Sequence, residues 1–285
     1  MDKNVRISAD SICDLPPDYI REHNIPIMPL IVNMGETAVE DGEGVADQIY
    51  AFADKTHQTP KTAARSTGDY KEFFAKHKPA KGALIHFTVS AELSASYQSA
   101  LLASQEMTGV YVVDSRSLST GTGLSVVYAI ELAEAGLSAD EIVKKVAAKI
   151  PETQASFLTK SLTYLHRGGR CSGTSRFLAS AMAIRPQIVV VNGKMIPGKK
   201  YMGIYTLVLK RYVNDILSAF NNPDLNYCFI THTRMDNPEI VEEIKKLVAA
   251  KYKFAHIVET IAGGTITSHC GPNTLGVLYF NKKDA

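Results

Sequence analysis

The chain has 285 residues, 45% hydrophobic and 21% charged, and a net charge of +2 with its histidines neutral. That balance excludes a disordered chain and leaves room for two modest domains or one large one. No basic stripe or long Lys/Arg run argues for nucleic acid as a partner, and no apolar stretch approaches the roughly 18–20 residues of a membrane span.

Val5 to Ser8 reads as a first strand, followed by Ala9-Asp10-Ser11 and Asp14-Leu15-Pro16-Pro17. Asp14, ahead of the prolines, is placed to cap a helix through Tyr19 and Ile20 that ends near Asn24. Ile25 to Met34 reads as a second strand, with Pro26 and Pro29 putting its early part at an edge. Asp41-Gly42-Glu43-Gly44 is a turn before a helix from Ala46 to Thr56. Gln58 to Thr67 is polar and contains a proline, so it reads as a loop before a short helix from Asp69 to His77.

Gly82 to Leu101, GALIHFTVSAELSASYQSAL, opens as a strand, passes through Thr88, Ser90, Ser94 and Ser96, and then takes helical spacing at Leu93, Tyr97 and Leu101. Serines where a strand gives way to a helix bring hydroxyls and free backbone N–H groups together. That is either an anion site or an ordinary Ser N-cap. Thr108 to Val113 is a further strand. Ser117 to Gly123 leads into a helix through about Ala135, and Ser138-Ala139-Asp140-Glu141 is a capping box for the helix to Ile150. Strands and helices alternate throughout this half, which implies a parallel sheet with helices on its faces. In such sheets ligands bind beyond the carboxyl ends of the strands.

The second half begins near Pro151. Ala155 to Lys160 is a strand, and Leu162 to Leu165 runs into the basic glycine turn His166-Arg167-Gly168-Gly169-Arg170. A helix from Arg176 to Ile184 is expected next. Asn192-Gly193 between apolar runs signals a type I′ hairpin. Helices over 205–220 and 238–250 and strands over 227–231 and 256–261 follow, and the chain closes with GGTITSHCGPNTLGVLYF. The opening residues MDKNVRISADS show no secretory signal. Cys13, Cys171, Cys228 and Cys270 are far apart and form no CxxC pair. Neither a zinc site nor a disulfide framework is expected, and a reducing cytoplasm is.

Several motifs in this order resemble the DegV-like fatty-acid-binding proteins over nearly the whole chain. Ser8-Ala9-Asp10-Ser11 with Asp14-Leu15-Pro16 is similar to the family's T-D-S-x-x-D-L-P, and Pro60 to Ser66 stands where the family has P-x-T-S-Q-P-S. VSAELSASYQSA from Val89 resembles I-S-S-x-L-S-G-T-Y-x-S-A. Val113-Asp114-Ser115, LTYLHRGGR over 162–170, and Ser268-His269-Cys270-Gly271-Pro272 against T-H-x-G-P complete the match. Departures are Ala63, Ala64 and Arg65 for Ser, Gln and Pro, Ala91 and Ala95 in the serine segment, Cys270 and Asn273, and a Tyr201–Leu207 stretch without the family's basic residues.

The resemblance implies two α/β domains, expected at 1–150 and 151–285. The first has a mostly parallel sheet, and a lipid pocket lies between or within the two. It implies a non-catalytic protein that holds a long-chain fatty acid and presents it to a separate fatty acid kinase for acyl-phosphate formation. Neither cofactor nor metal is expected, and membrane contact is at most transient. Thr62 and Ser94 match the carboxylate-binding hydroxyls; His269 and Arg170 match polar residues at the pocket mouth. Bottom-up chemistry agrees, since a buried carboxylate needs donors. A long tail adds about 0.8 kcal/mol per buried CH2. Leu158, Phe177, Met182 and Ile184 are candidates for apolar lining or ordinary core.

Each site residue also has an ordinary reading: Thr62 as a loop hydroxyl, Ser94 as a cap, His269 as a structural histidine in a turn, and Arg170 as a surface group. Asp10, Ser11, Asp14, Asp114 and Ser115 read first as turn or cap residues, and His86 and His232 as core or surface. The alternative function is a serine hydrolase using Ser94 and His269 with Asp10 or Asp114, although no G-x-S-x-G elbow occurs. A phosphotransferase would need a P-loop or a magnesium-binding aspartate cluster, and neither is visible.

Overall fold

The computed structural model describes residues 5–171 and 184–282. The expected helix over 176–184 lies outside them except for Ile184, as do Phe177 and Met182. β1 (Val5–Asp10) is buried along nearly its whole length and leads through a 3-10 turn, Ser11–Cys13, to α1 (Pro17–Glu22). Pro17 occupies the first helical position, where no N–H is needed. Asp14 is not the cap: it sits in the left-handed region at φ 47°, and its carboxylate is used elsewhere.

The expected second strand is two strands, β2 (Ile27–Met28) and β3 (Ile31–Met34), because Pro29 interrupts the ladder. β2 pairs in parallel with β1, whereas β3 pairs antiparallel with β4 (Thr37–Glu40). After α2 (Val45–Thr56), residues Lys61–Ala63 form β5 on the other side of β3, with Thr62 opposite Val32. The middle of the segment expected as a loop is therefore a strand, with irregular chain on either side. α3 (Thr67–His77) starts at a full capping box between Ser66 and Asp69.

β6 (Ala83–Thr88), α4 (Ser96–Gln105), β7 (Val110–Asp114), α5 (Thr120–Glu134) and α6 (Ala139–Lys149) complete this half. The sheet order β2-β1-β6-β7 is parallel throughout, so helices must cross over its faces, as the alternation predicted. α5 is buried along most of its length. Gly123 permits that: a Cβ there would stand 2.7 Å from the Cys13 carbonyl oxygen.

The remaining strands form one mixed sheet, with β8 (Thr153–Gln154) and β9 (Ser156–Thr159) preceding α7 (Thr163–Gly168). α7 replaces the expected glycine turn and ends at Gly169, which takes φ 67° as its left-handed cap. β10 (Arg185–Val191) and β11 (Lys194–Tyr201) are the predicted hairpin; Asn192 and Gly193 both have positive φ, as a type I′ turn requires. β12 (Pro223–His232), β13 (His256–Ile261) and β14 (Thr274–Asn281) finish the order β11-β10-β9-β14-β12-β13, with β8 also on β14. α8 (Tyr205–Ala219) and α9 (Glu239–Lys251) pack one face of this sheet through Tyr212, Ile216, Ile244 and Val248.

The residues after Ala262 form α10 (Gly264–Cys270), so His269 stands on a short helix and not in a turn. Phe229, Leu278 and Phe280 of the second sheet join the core of the first. A separate apolar cluster, including Ile12, Leu30, Val89, Leu118, Phe157, Met195 and Cys270, surrounds the space where the two halves face each other. Ile184 packs against it, while Leu158 belongs to the core of the second sheet. Among the described residues no helix is long and apolar enough to cross a membrane.

Candidate functional site

A cavity of about 580 Å³ lies inside that cluster. Thr62, Ser94, Arg170 and His269 all line it, together with Ile12, Leu30, Val89 and Met195. A second cavity of about 390 Å³ lies deeper, against Phe157, Val190 and Leu278. Leu118, Ile266 and Cys270 line both, so these side chains stand between the two spaces. The first has the polar side chains of Thr62, Ser94, Arg170 and His269 among its walls; the second is faced almost wholly by carbon.

Thr62 and His269 meet across the sequence, with Thr62 Oγ1 and His269 Nε2 sharing a hydrogen bond of 2.8 Å. The ladder between β3 and β5 fixes Thr62, and α10 fixes His269. Burial, aided by the Arg170 guanidinium, lowers the His269 pKa to about 4, so the ring is neutral at pH 7. Its Nδ1 has no partner among the described residues and faces Gly168, where a Cβ would come within 2.3 Å of it. Gly168 thus holds open the place the ring occupies. Arg170 is exposed at the cavity edge and donates from Nη1 to the Gly168 carbonyl at 2.7 Å, which ties the guanidinium to the end of α7.

Ser94 lies just before α4 but does not act as its ordinary cap. Ala95 is the N-cap, without a side-chain bond, while Ser94 Oγ accepts the Ser96 N–H at 3.2 Å and pairs with Ser96 Oγ at 3.0 Å. Ser96 is fully buried and faces the Tyr70 phenol, which donates to Asp10 Oδ1 at 2.7 Å. Burial and the Asp10 carboxylate push the Tyr70 pKa far above its ordinary value, so the phenol stays protonated as a donor. Asp10 also accepts the Val89 N–H and bonds His86 Nε2 at 3.2 Å; His86 Nδ1 in turn meets Ser8 Oγ at 2.9 Å. Asp10 therefore organises the strand end that carries Ser94, which goes beyond forming a turn. Asp114 does similar work, accepting the Ala91 and Arg116 N–H groups.

Two acids from the first half position α10. Asp41 Oδ1 accepts the Gly264 N–H at 2.8 Å, and Asp41 Oδ2 accepts the Thr265 N–H at 3.0 Å and the Ser11 hydroxyl at 2.9 Å. Asp14 accepts the Gly263 N–H at 2.9 Å and the Ser119 hydroxyl. A carboxylate at the first amides of a helix satisfies donors that the helix cannot. Burial pushes the Asp14 pKa up to about 7, with nearby Asp41 adding a smaller push in the same direction. Gly264 is required at this contact: a Cβ would sit 2.5 Å from Val45 Cγ1 and 2.7 Å from Asp41 Oδ1.

The four expected site residues thus border one cavity. Tyr70, Asp41 and Thr265 were missed by sequence reasoning, because their roles depend on partners distant in the chain. Ala63 lines the cavity beside Thr62, and Arg65 turns away from it to donate to the Pro29 carbonyl at 2.6 Å. The arrangement does not make a hydrolytic triad: His269 Nε2 is engaged by Thr62, and the Ser94 hydroxyl by Ser96. No group of three or more His, Cys, Asp or Glu among the described residues is placed to hold a metal ion.

Comparison with known proteins matches this geometry to one family. A sequence profile described as an uncharacterised protein of the DegV family matches residues 4–282. A relative named fatty acid-binding protein, from Thermotoga maritima, is 28% identical over 281 residues, which is 95% of this chain and 96% of that protein. A DegV lipid binding protein of known crystal structure, also from Thermotoga maritima, superposes with a TM-score of 0.83 at 27% identity, covering 98% of this chain and 99% of that one. A DegV family protein from Thermus thermophilus, whose structure is described as fatty acid binding, superposes with a TM-score of 0.86 at 25% identity over 98% and 99% of the two chains.

Proposed function

This chain belongs to the DegV family, and from that premise we propose that it binds a long-chain fatty acid, with the carboxylate at Thr62 and Ser94 and the tail directed toward the inner cavity. The observation that carries the reading is that Thr62, Ser94, Arg170 and His269 line one cavity whose other walls are mostly apolar.

A carboxylate entering beside these side chains loses water and must regain donors. With Nε2 protonated, His269 donates to Thr62 Oγ1 and leaves the Thr62 hydroxyl hydrogen free for the ligand. Ser94 turns its hydrogen from Ser96 to the second carboxylate oxygen, and Arg170 at the edge supplies the positive charge that neutral His269 lacks. Residues 1–150 contribute Thr62 and Ser94, and residues 151–285 contribute Arg170 and His269. As two domains, they would clasp the ligand between them. The tail passes Leu118, Ile266 and Cys270, which must shift rotamers to join the two cavities.

The protein is read as a carrier without turnover of its own, delivering the acid to a fatty acid kinase. Support for that step is the resemblance together with the position of Arg170 at the exposed end of the cavity. Acyl phosphate should form only when this protein, a fatty acid kinase and ATP are combined. Binding is tested by thermal shift with hexadecanoic acid against hexadecan-1-ol. The acid should raise Tm and the alcohol should raise it much less; equal shifts would remove the carboxylate from the account.

A further inference from the structure

Helix α10 carries three hydroxyls, and two of them are turned back onto the chain. Thr267 Oγ1 donates to the Ala262 carbonyl at 3.3 Å and Ser268 Oγ to the Gly264 carbonyl at 2.8 Å, the usual resolution for Ser and Thr in a helix. Thr265 differs. It is only 7% exposed, its Oγ1 has no hydrogen-bond partner among the described residues, and it lines the larger cavity. Its backbone is fixed, because its N–H is held by Asp41 Oδ2. Residues four apart share one helix face, so Thr265 stands one turn from His269 with about 5–6 Å between their Cβ atoms. The cavity walls also include Ile12, Leu30 and Ile266, which offer no side-chain polar atom. Thr265 therefore brings an unpaired hydroxyl to the lining of the cavity.

We propose that Thr265 is a second polar anchor, and that the ligand this chain prefers is an acyl chain bearing a hydroxyl group within a few carbons of its carboxylate. The inference rests on the fatty-acid reading above. With the carboxylate at Thr62 and Ser94, the first bonds of the chain run alongside the turn of α10 that carries Thr265. A plain methylene chain covers the Thr265 hydroxyl and leaves it unpaired; a hydroxyl on the chain pairs with it. This is the kind of site that discriminates by a hydrogen bond and not by size.

The test is a comparison of Kd for hexadecanoic, 2-hydroxyhexadecanoic and 3-hydroxyhexadecanoic acids with the wild-type protein and with Thr265→Val, which keeps the shape and removes the hydroxyl. One hydroxy acid should bind the wild type about five- to tenfold more tightly than hexadecanoic acid. Thr265→Val should erase that preference, leave hexadecanoic acid affinity unchanged, and raise the Tm of the ligand-free protein by removing an unpaired buried hydroxyl. Three results would overturn the proposal: hexadecanoic acid bound as well as both hydroxy acids, an equal loss for all three acids in Thr265→Val, or a fall in the ligand-free Tm. The equal loss would make Thr265 another carboxylate donor. If the wild type binds none of the acids, the fatty-acid reading itself fails and takes this inference with it.

Discussion

The polar end of the cavity and its apolar interior are held in place by different means. At the polar end, single hydrogen bonds join residues far apart in the chain: Thr62 to His269 over 207 positions, Asp41 to the Gly264 amide over 223, and Asp14 to the Gly263 amide over 249. The interior rests on close packing of Leu118, Phe157, Ile188 and their neighbours. Hydrogen bonds are directional and packing is not, so the polar end can fix atoms to within a fraction of an ångström while the interior adapts to a chain. Substitutions should therefore separate the two ends: one set should change recognition, the other stability.

The largest effect is expected where both ends depend on one atom. Gly264→Ala drives a methyl into Val45 and Asp41, and should cost about 3 kcal/mol of stability, read as a fall in the denaturation midpoint, with loss of acid binding. Leu118→Ala, at the wall between the cavities, should cost about 2 kcal/mol, the low end of the range for such truncations because one side already faces open space. Binding of hexadecanoic acid should survive it; equal damage to both properties would break the distinction. Ser94→Ala should do the opposite, weakening the acid about tenfold in a titration while leaving the denaturation midpoint nearly unchanged.

A separate effect is in pH dependence. In the folded protein Asp14 keeps its proton up to about pH 7, whereas the unfolded chain releases it near its ordinary value of 3.8. Between those values the folded state binds the extra proton, so this group's contribution to stability falls as pH rises from about 4 to about 7 and is constant above that. Asp14→Asn lacks that titration and can still meet both Gly263 N–H and Ser119. The difference in Tm, variant minus wild type, should grow across that window and then level off. A difference that is flat with pH would mean Asp14 is ionised throughout.

Legibility in the sequence follows the same division. Local signals were sound where the cause was local: the capping box at Ser138, the Asn192-Gly193 turn, and the alternation behind the parallel sheet. Misreadings arose where a distant partner decides. Lys61–Ala63 is too short and polar to announce a strand, and becomes one because β3 offers an edge. Asp14 looks like a cap before two prolines, yet its carboxylate serves residues 105 and 249 positions away. Asp10 and Asp41 looked like turn residues, and their burial beneath Tyr70 and α10 has no signature in the neighbouring sequence. The four residues around the cavity were named through a family resemblance. Thr265 belonged to none of the matched motifs and had to be read from its unpaired hydroxyl.

The most direct measurement is mass spectrometry of the organic extract from protein purified natively out of a bacterial host, with Ser94→Ala prepared in parallel. A cavity that holds an acyl chain by its carboxylate predicts about one fatty acid, plain or hydroxylated, per wild-type chain, and much less with the variant. An empty wild-type extract, with no rise in Tm when long-chain fatty acids are added, would contradict the account.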